Sequence, residues 1–467
     1  MSLLLYLDTL ILLFISFNII NSSYISIPFE VQNFKYENIP KIINNHIYKD
    51  ILVKFLVGNP PQTVQLSACL GEFTTFIISN NAKGYSGGTY NKSQSNSYSS
   101  LSENNFYTFQ TFSEGITSKD NFLIEKTKSE IKDLEFMLAT EIGGNNCYNT
   151  YCEVLTQPGI LGFLLAQQQT FEEDIIDTNF IPQLKQKKII SNYDFNFHFI
   201  NEKHGNIIIG EKPHEYDGTH YKKENFKFTK TSIVQNDLDW SLIFDNVYFG
   251  ENELENVRGV LFRIEFGLII GYYKWEEILK KDFFDKLLEE KKCFKDYTHD
   301  LGNTAYFYYC NRTTDVSKFK PFIFTINDFN YNFTLTYKDL FIEVEDKLLF
   351  LMIFGGIHEL IFGYPFLKKY QLVFNQDTKT IGIYTDIVKD KENKENKENE
   401  SLTIYYIVII ILGIILLSLI IAVIICYIKR KNNYKKDATE LSNSEYEEDM
   451  NKKNKNCTLI DDENKIN

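Results

Sequence analysis

Short apolar runs, several of them alternating with polar residues, follow one another from about residue 50 to residue 385, and Gly, Asn, Asp and Pro punctuate them. Residues 51–57 (ILVKFLV) predict a strand. Gly58-Asn59-Pro60-Pro61 cannot continue a hydrogen-bonded ladder and predicts a tight turn. A second strand is predicted over 64–68, and the chain turns again at Cys69-Leu70-Gly71-Glu72. Further on, 195–199 (FNFHF) alternates as a strand, and 204–210 (HGNIIIG) reads as part of a hairpin. Residues 239–244 open another strand, and 322–327 with 331–335 form a hairpin around the turn 328–330. Helices are predicted at 181–184 with the basic residues that follow, and from Trp275 to about Leu288.

Two longer apolar segments depart from this pattern. Residues 3–20 are apolar apart from a few interruptions such as Asp8, and Ser22 and Ser23 follow, which predicts a signal peptide over 1–22. No Lys or Arg precedes the run, so an uncleaved anchor is the alternative. Residues 402–428 carry no charge and are long enough to span a bilayer core of ~30 Å. Lys429-Arg430-Lys431 come next, and the positive-inside rule puts that end in the cytoplasm. The expectation is a single-pass type I membrane protein of the secretory pathway, with the lipid bilayer as one partner and the bulk of the chain lumenal or extracellular. Residues 389–401, rich in Lys-Glu-Asn repeats, form a solvated stalk, and 429–467 form a cytosolic tail.

At 467 residues and 54.8 kDa the chain can hold two domains with separate cores. A formal charge of -13 disfavours nucleic acid as a partner. Cysteine usage fits an oxidising compartment. Cys147 and Cys152 are near neighbours, Cys293 and Cys310 bracket a polar stretch, and Cys69 has no evident lumenal partner. Asn91, Asn311, Asn332 and Asn399 lie in N-glycosylation sequons, each a weak motif in so Asn-rich a chain.

The stretch from Gly58 to Ser79 resembles the first active-site segment of pepsin-like aspartic proteases. Gly58, Pro60, Pro61 and Gln62 match the turn, and Gly71 matches the glycine of the family's Asp-Thr-Gly-Ser loop. Residues 157–163 (QPGILGF) resemble the apolar-apolar-Gly segment that threads beside that loop, and 204–210 resembles the hairpin before the second lobe. The closing signature 359–370 (ELIFGYPFLKKY), continued by Val373-Phe374-Asn375 and Ile381-Gly382-Ile383, is the best preserved. The resemblance covers roughly 48–386. It implies an all-β fold of two mainly antiparallel lobes around a cleft, here with one C-terminal transmembrane helix. The expected division is a lead-in over 23–47, an N-terminal lobe over 48–210 and a C-terminal lobe over 211–388. It also implies disulfides Cys147–Cys152 and Cys293–Cys310, one in each lobe, and neither cofactor nor metal.

In this family two carboxylates share one proton and activate a water, one acting as base and the other as acid. Here Cys69 stands at the first aspartate, with Leu70 and Glu72 in place of the hydroxyl residues. The second site falls within 257–273, in one of two registers. The preferred one puts Glu265-Phe266-Gly267 on the family's Asp-Thr/Ser-Gly and keeps the glycine, whereas the other puts Arg263 on the aspartate. Tyr107 is the candidate for the flap tyrosine over the cleft, with Gly115 beyond it. The plain readings are that Cys69 is a small buried filler and Glu265 a half-solvated residue on the cleft floor. The expected function is an inactive homologue that binds a peptide or protein in its cleft. The alternatives are an active membrane-anchored aspartic endopeptidase and a surface-display or adhesion glycoprotein.

Overall fold

The computed structural model describes residues 24–33, 41–44, 46–107, 112–142, 159–165, 178–232, 239–299, 304–355 and 360–386, together with Val423 and Tyr427. The 1–22 leader, Cys147, Cys152, the stalk, the tail and nearly all of the 402–428 segment lie outside the described residues. Among the described residues no helix is long and apolar enough to cross a membrane.

Two sheets dominate the unit that ends at Val388. One has thirteen strands and the other ten. The first contains the predicted pair Lys49–Val57 and Gln62–Cys69, antiparallel with Phe55 opposite Val64. In Lys49–Val57 the residues Ile51, Val53, Phe55 and Val57 are all buried, as a strand with one face on the core requires. The turn between the strands sets Gly58 at φ +88°, where a side chain would be strained and a Cβ would come within 2.7 Å of Ser95 Oγ.

The thirteen-stranded sheet is not built from the N-terminal lobe alone. Its order runs from Phe226–Lys230 through Thr380–Tyr384, Val373–Asn375, Asp194–Phe199, His204–Ile209 and Ile25–Asn33 to Lys49–Val57 and beyond. The lead-in thus supplies a central strand, and three strands from the expected C-terminal lobe join this sheet. Strand pairing over such separations is set by tertiary partners, which local alternation does not encode. Trp240 and Gln376 tie the parts together. The Trp240 indole N–H donates to Phe163 O at 2.8 Å, and Gln376 Nε2 donates to Leu164 O at 2.8 Å.

The predicted helices are present. Phe180–Gln186 starts at Asn179, whose side chain accepts from the Ile181 N–H. Helical turns run without a break from Tyr273 to Glu289, burying Trp275, Leu279 and Phe284. The Phe322–Ile326 and Tyr331–Leu335 hairpin and the closing helix Tyr364–Tyr370 also form as expected.

Candidate functional site

The two segments expected to carry chemistry leave equivalent ladders. In the first, Gln62–Cys69 runs parallel to Gly159–Gly162, with Ala68 opposite Leu161 and Cys69 opposite Gly162. In the second, Asn252–Phe262 runs parallel to Leu360–Phe362, with Leu261 opposite Ile361 and Phe262 opposite Phe362. One step on, Arg263 stands opposite Gly363, and its N–H donates to Phe362 O at 3.2 Å. The returning strands agree. Phe76 pairs with Ile160, two before Gly162, and Ile270 pairs with Ile361, two before Gly363. The loops from Cys69 to Phe76 and from Arg263 to Ile270 therefore have the same length.

This ladder corrects the preferred sequence register. Arg263 is the counterpart of Cys69, and Glu265 is the counterpart of Gly71. Gly267 has a different reason to be glycine. Its N–H donates to Ile47 O at 2.8 Å, and a Cβ there would lie 2.2 Å from His46 O. The lead-in, packed through Ile43, Ile47 and Tyr48 onto Leu261, Phe266 and Leu268, needs that gap.

Across the floor, the second loop grips the first. Glu265 Oε2 accepts a hydrogen bond from the Leu70 N–H at 3.3 Å. Arg263 Nη1 reaches Leu70 O at 3.5 Å, so one residue is held at both its amide groups. Glu265 Oε1 fills the space over Gly71, where a Cβ would be only 2.7 Å away. Arg263 is buried, and its Nη2 pairs with Asp239 Oδ1 at 2.6 Å, while its Nε lies 3.8 Å from Glu265 Oε1.

Electrostatics follow from this packing. Burial raises the Glu265 pKa above the ordinary carboxylate range, and the Arg263 charge opposes the shift. Glu265 is 8% exposed, so it is not the half-solvated residue expected from sequence. Burial works against the Arg263 charge, but Glu265 and Asp239 hold its pKa above the usual value. Cys69 is free and buried, and burial together with the Glu265 and Glu72 charges pushes its thiol pKa well up. Its neighbours are Phe76, Ile78, Met137 and Ile160, and no histidine is among the groups acting on it. The thiol also hydrogen-bonds the Glu265 side chain, and a thiol held protonated is in its less reactive form. Glu72 is also buried, and its Oε1 accepts from the Phe73 and Thr74 N–H groups at 3.0 Å each.

The remaining candidates are placed unevenly. Tyr107 ends the strand Ser99–Tyr107, opposite Phe112 in a hairpin, and its side chain lies outside the described residues. Gly115 sits farther down the same hairpin, opposite Asn104. Cys293 and Cys310 are joined, facing each other across adjacent strands. Among the described residues no group of three or more His, Cys, Asp or Glu is placed to hold a metal ion.

Sequence reasoning missed Asp239 and residues 46–49, where the lead-in joins the first lobe. In the sequence Asp239 marks only the start of a strand, and the signal that could single it out is that a buried arginine needs a charge partner. The lead-in contact has no local signature beyond the glycine it demands.

No curated protein matches the chain significantly. The family model described as eukaryotic aspartyl protease matches residues 52–385, well over half of the chain and both floor loops. Together with the paired parallel ladders beneath those loops, that match places the chain in the eukaryotic aspartyl protease family.

Proposed function

We propose that this protein is a membrane-anchored, catalytically inactive member of its family whose cleft binds a peptide or protein. The observation that carries the reading is the identity of the two paired floor positions, Cys69 opposite Gly162 and Arg263 beside Phe362. Water activation by a proton-sharing pair needs an acid at each of these positions. A thiol held protonated and a guanidinium tied to Asp239 supply neither.

The two acids nearby do not replace the pair. Glu265 is engaged by Leu70, and Glu72 caps the amides of its own loop. The chain around them keeps the family's β framework, and the cleft that the family resemblance implies would suit binding without turnover. The uncharged 402–428 segment followed by Lys429-Arg430-Lys431 supports anchoring with the folded part on the lumenal or extracellular side.

The test is affinity selection from a degenerate peptide library with the full chain held in detergent or nanodiscs. The expected result is saturable retention of peptides recovered intact. Absence of any saturable retention would favour the display or adhesion reading instead.

A further inference from the structure

The strand Phe226–Lys230 lies at one end of the thirteen-stranded sheet and pairs with Thr380–Tyr384. Its side chains divide cleanly. Lys227 Nζ donates to Phe329 O at 2.6 Å, and Thr229 Oγ1 donates to Asp328 Oδ2 at 2.7 Å. Phe226, Phe228 and Lys230 point to the opposite face, as the period of two requires. There Phe228 stacks on Phe226, Phe226 lies 5.1 Å from the Tyr384 ring, and Tyr384 lies 4.9 Å from Tyr221. The row ends in an open ring, since Phe228 is 63% exposed. Lys223 and Lys230, which flank it in sequence, are exposed, as is Glu224, the one acid in the segment 222–230.

This row is also where the described part of the unit ends. The Thr385 N–H donates to Asn225 O at 3.0 Å, and Asn225 Nδ2 donates to Asp386 O at 3.3 Å. Residues 387–401 then lead to the uncharged segment 402–428. A chain of that length spans at most about 50 Å when fully extended. The exposed ring therefore cannot lie beyond the reach of that tether from whatever surface receives the apolar segment.

We propose that this aromatic and lysine-bearing face docks on the bilayer that holds the chain, with Phe228 among the headgroups and Lys223 and Lys230 on lipid phosphates. The proposal rests on the anchored topology proposed above. A Phe left 63% exposed forgoes much of its burial, and rings flanked by lysines match the composition of a membrane interface. A bilayer fits better than a second protein because the tether already brings it within reach.

The test uses the full chain reconstituted in phosphatidylcholine vesicles, with and without phosphatidylserine. The two native tryptophans, Trp240 and Trp275, are fully buried, so an indole from Phe228→Trp reports from the surface by itself. Leu101→Trp is the control, because Leu101 is 41% exposed on a strand at the other end of the same sheet. The expected result is blue-shifted Phe228→Trp emission that lipid-borne quenchers suppress, with Leu101→Trp unaffected. Adding Lys223→Glu and Lys230→Glu should weaken the quenching. Chain that fails to float with the vesicles overturns the topology and the docking together. Chain that floats, but whose Phe228→Trp emission is no more quenched than the control, overturns the docking alone. A blue shift without lipid quenching would point to a protein partner and also overturn it.

Discussion

Glu265 Oε2 accepts the Leu70 N–H at 3.3 Å, joining two loops whose residues are 195 positions apart. The bond crosses the floor where the family's active members carry their acids, and it is made by a side chain standing where the ladder calls for glycine. Glu265→Ala should leave a buried amide without its acceptor and destabilise the fold by about 1–3 kcal/mol. Glu265→Gln keeps an acceptor oxygen and should lose less. Chemical denaturation midpoints of the two variants check the order, and equal losses would contradict it.

Arg263 and Asp239 form the shortest ion pair in this region, at 2.6 Å with both side chains buried. Arg263→Ala should strand the Asp239 carboxylate and cost about 3–5 kcal/mol. The double variant Arg263→Met with Asp239→Leu should recover much of that loss, since apolar groups of similar size need no partner. A double-mutant cycle on denaturation energies reads the coupling. Additive losses would show that the pair does not act as a unit.

The Cys69 thiol should resist alkylation in the native protein at mildly alkaline pH. Burial and the neighbouring Glu265 and Glu72 carboxylates keep it protonated, and only the thiolate reacts. Mass spectrometry of the Cys69 peptide should show slow labelling that becomes fast after unfolding. Rapid native labelling would place an accessible thiolate on the floor.

His46 is buried where the lead-in meets the second loop, and its Nδ1 finds no hydrogen-bond partner among the described residues. Burial, with a smaller push from Lys49, lowers its pKa from 6.5 to about 4. A base held neutral in the folded state binds fewer protons there than when unfolded, so stability falls as pH drops from 6.5 towards 4. The full loss is on the order of 3 kcal/mol. Glu265 works in the opposite direction, because its raised pKa makes the fold more tolerant of acid. Denaturation between pH 7 and 4 (about the range of the two histidine pKa values) should show a flatter acid limb for His46→Gln than for the wild type. An unchanged limb would contradict the assignment.

Much of the fold was legible because its signals are local. The Gly58-Asn59-Pro60-Pro61 turn, the alternation on either side of it and the closing run 359–370 each mark an element without reference to a distant partner. Sheet membership was not legible. Val373–Asn375 and Thr380–Tyr384 look like ordinary closing strands of the second lobe, and only their pairing places them in the first sheet. At the site, the loss of the first aspartate could be read directly at Cys69. The second register was misread because Glu265 and Gly267 spell an acid followed by a glycine at the family's spacing. That glycine answers to His46 and Ile47, a contact from residues far away in the sequence.

Rebuilding the site separates the two registers. Cys69→Asp with Glu265→Asp should remain without turnover, because Arg263 still stands at the second position. Only a variant that combines Cys69→Asp with Arg263→Asp and Glu265→Gly presents two acids at equivalent positions, and Leu70 and Ile264 would still lack the supporting hydroxyls. Activity from the first variant alone would restore the register that the ladder rejects.

The most direct test of the central claim is cleavage of a degenerate peptide library by the full wild-type chain across the acidic range in which this family works. The account predicts no turnover, with peptides bound and released uncut. Turnover that disappears in Glu265→Ala or Cys69→Ala would show that these residues do chemistry, and would contradict it.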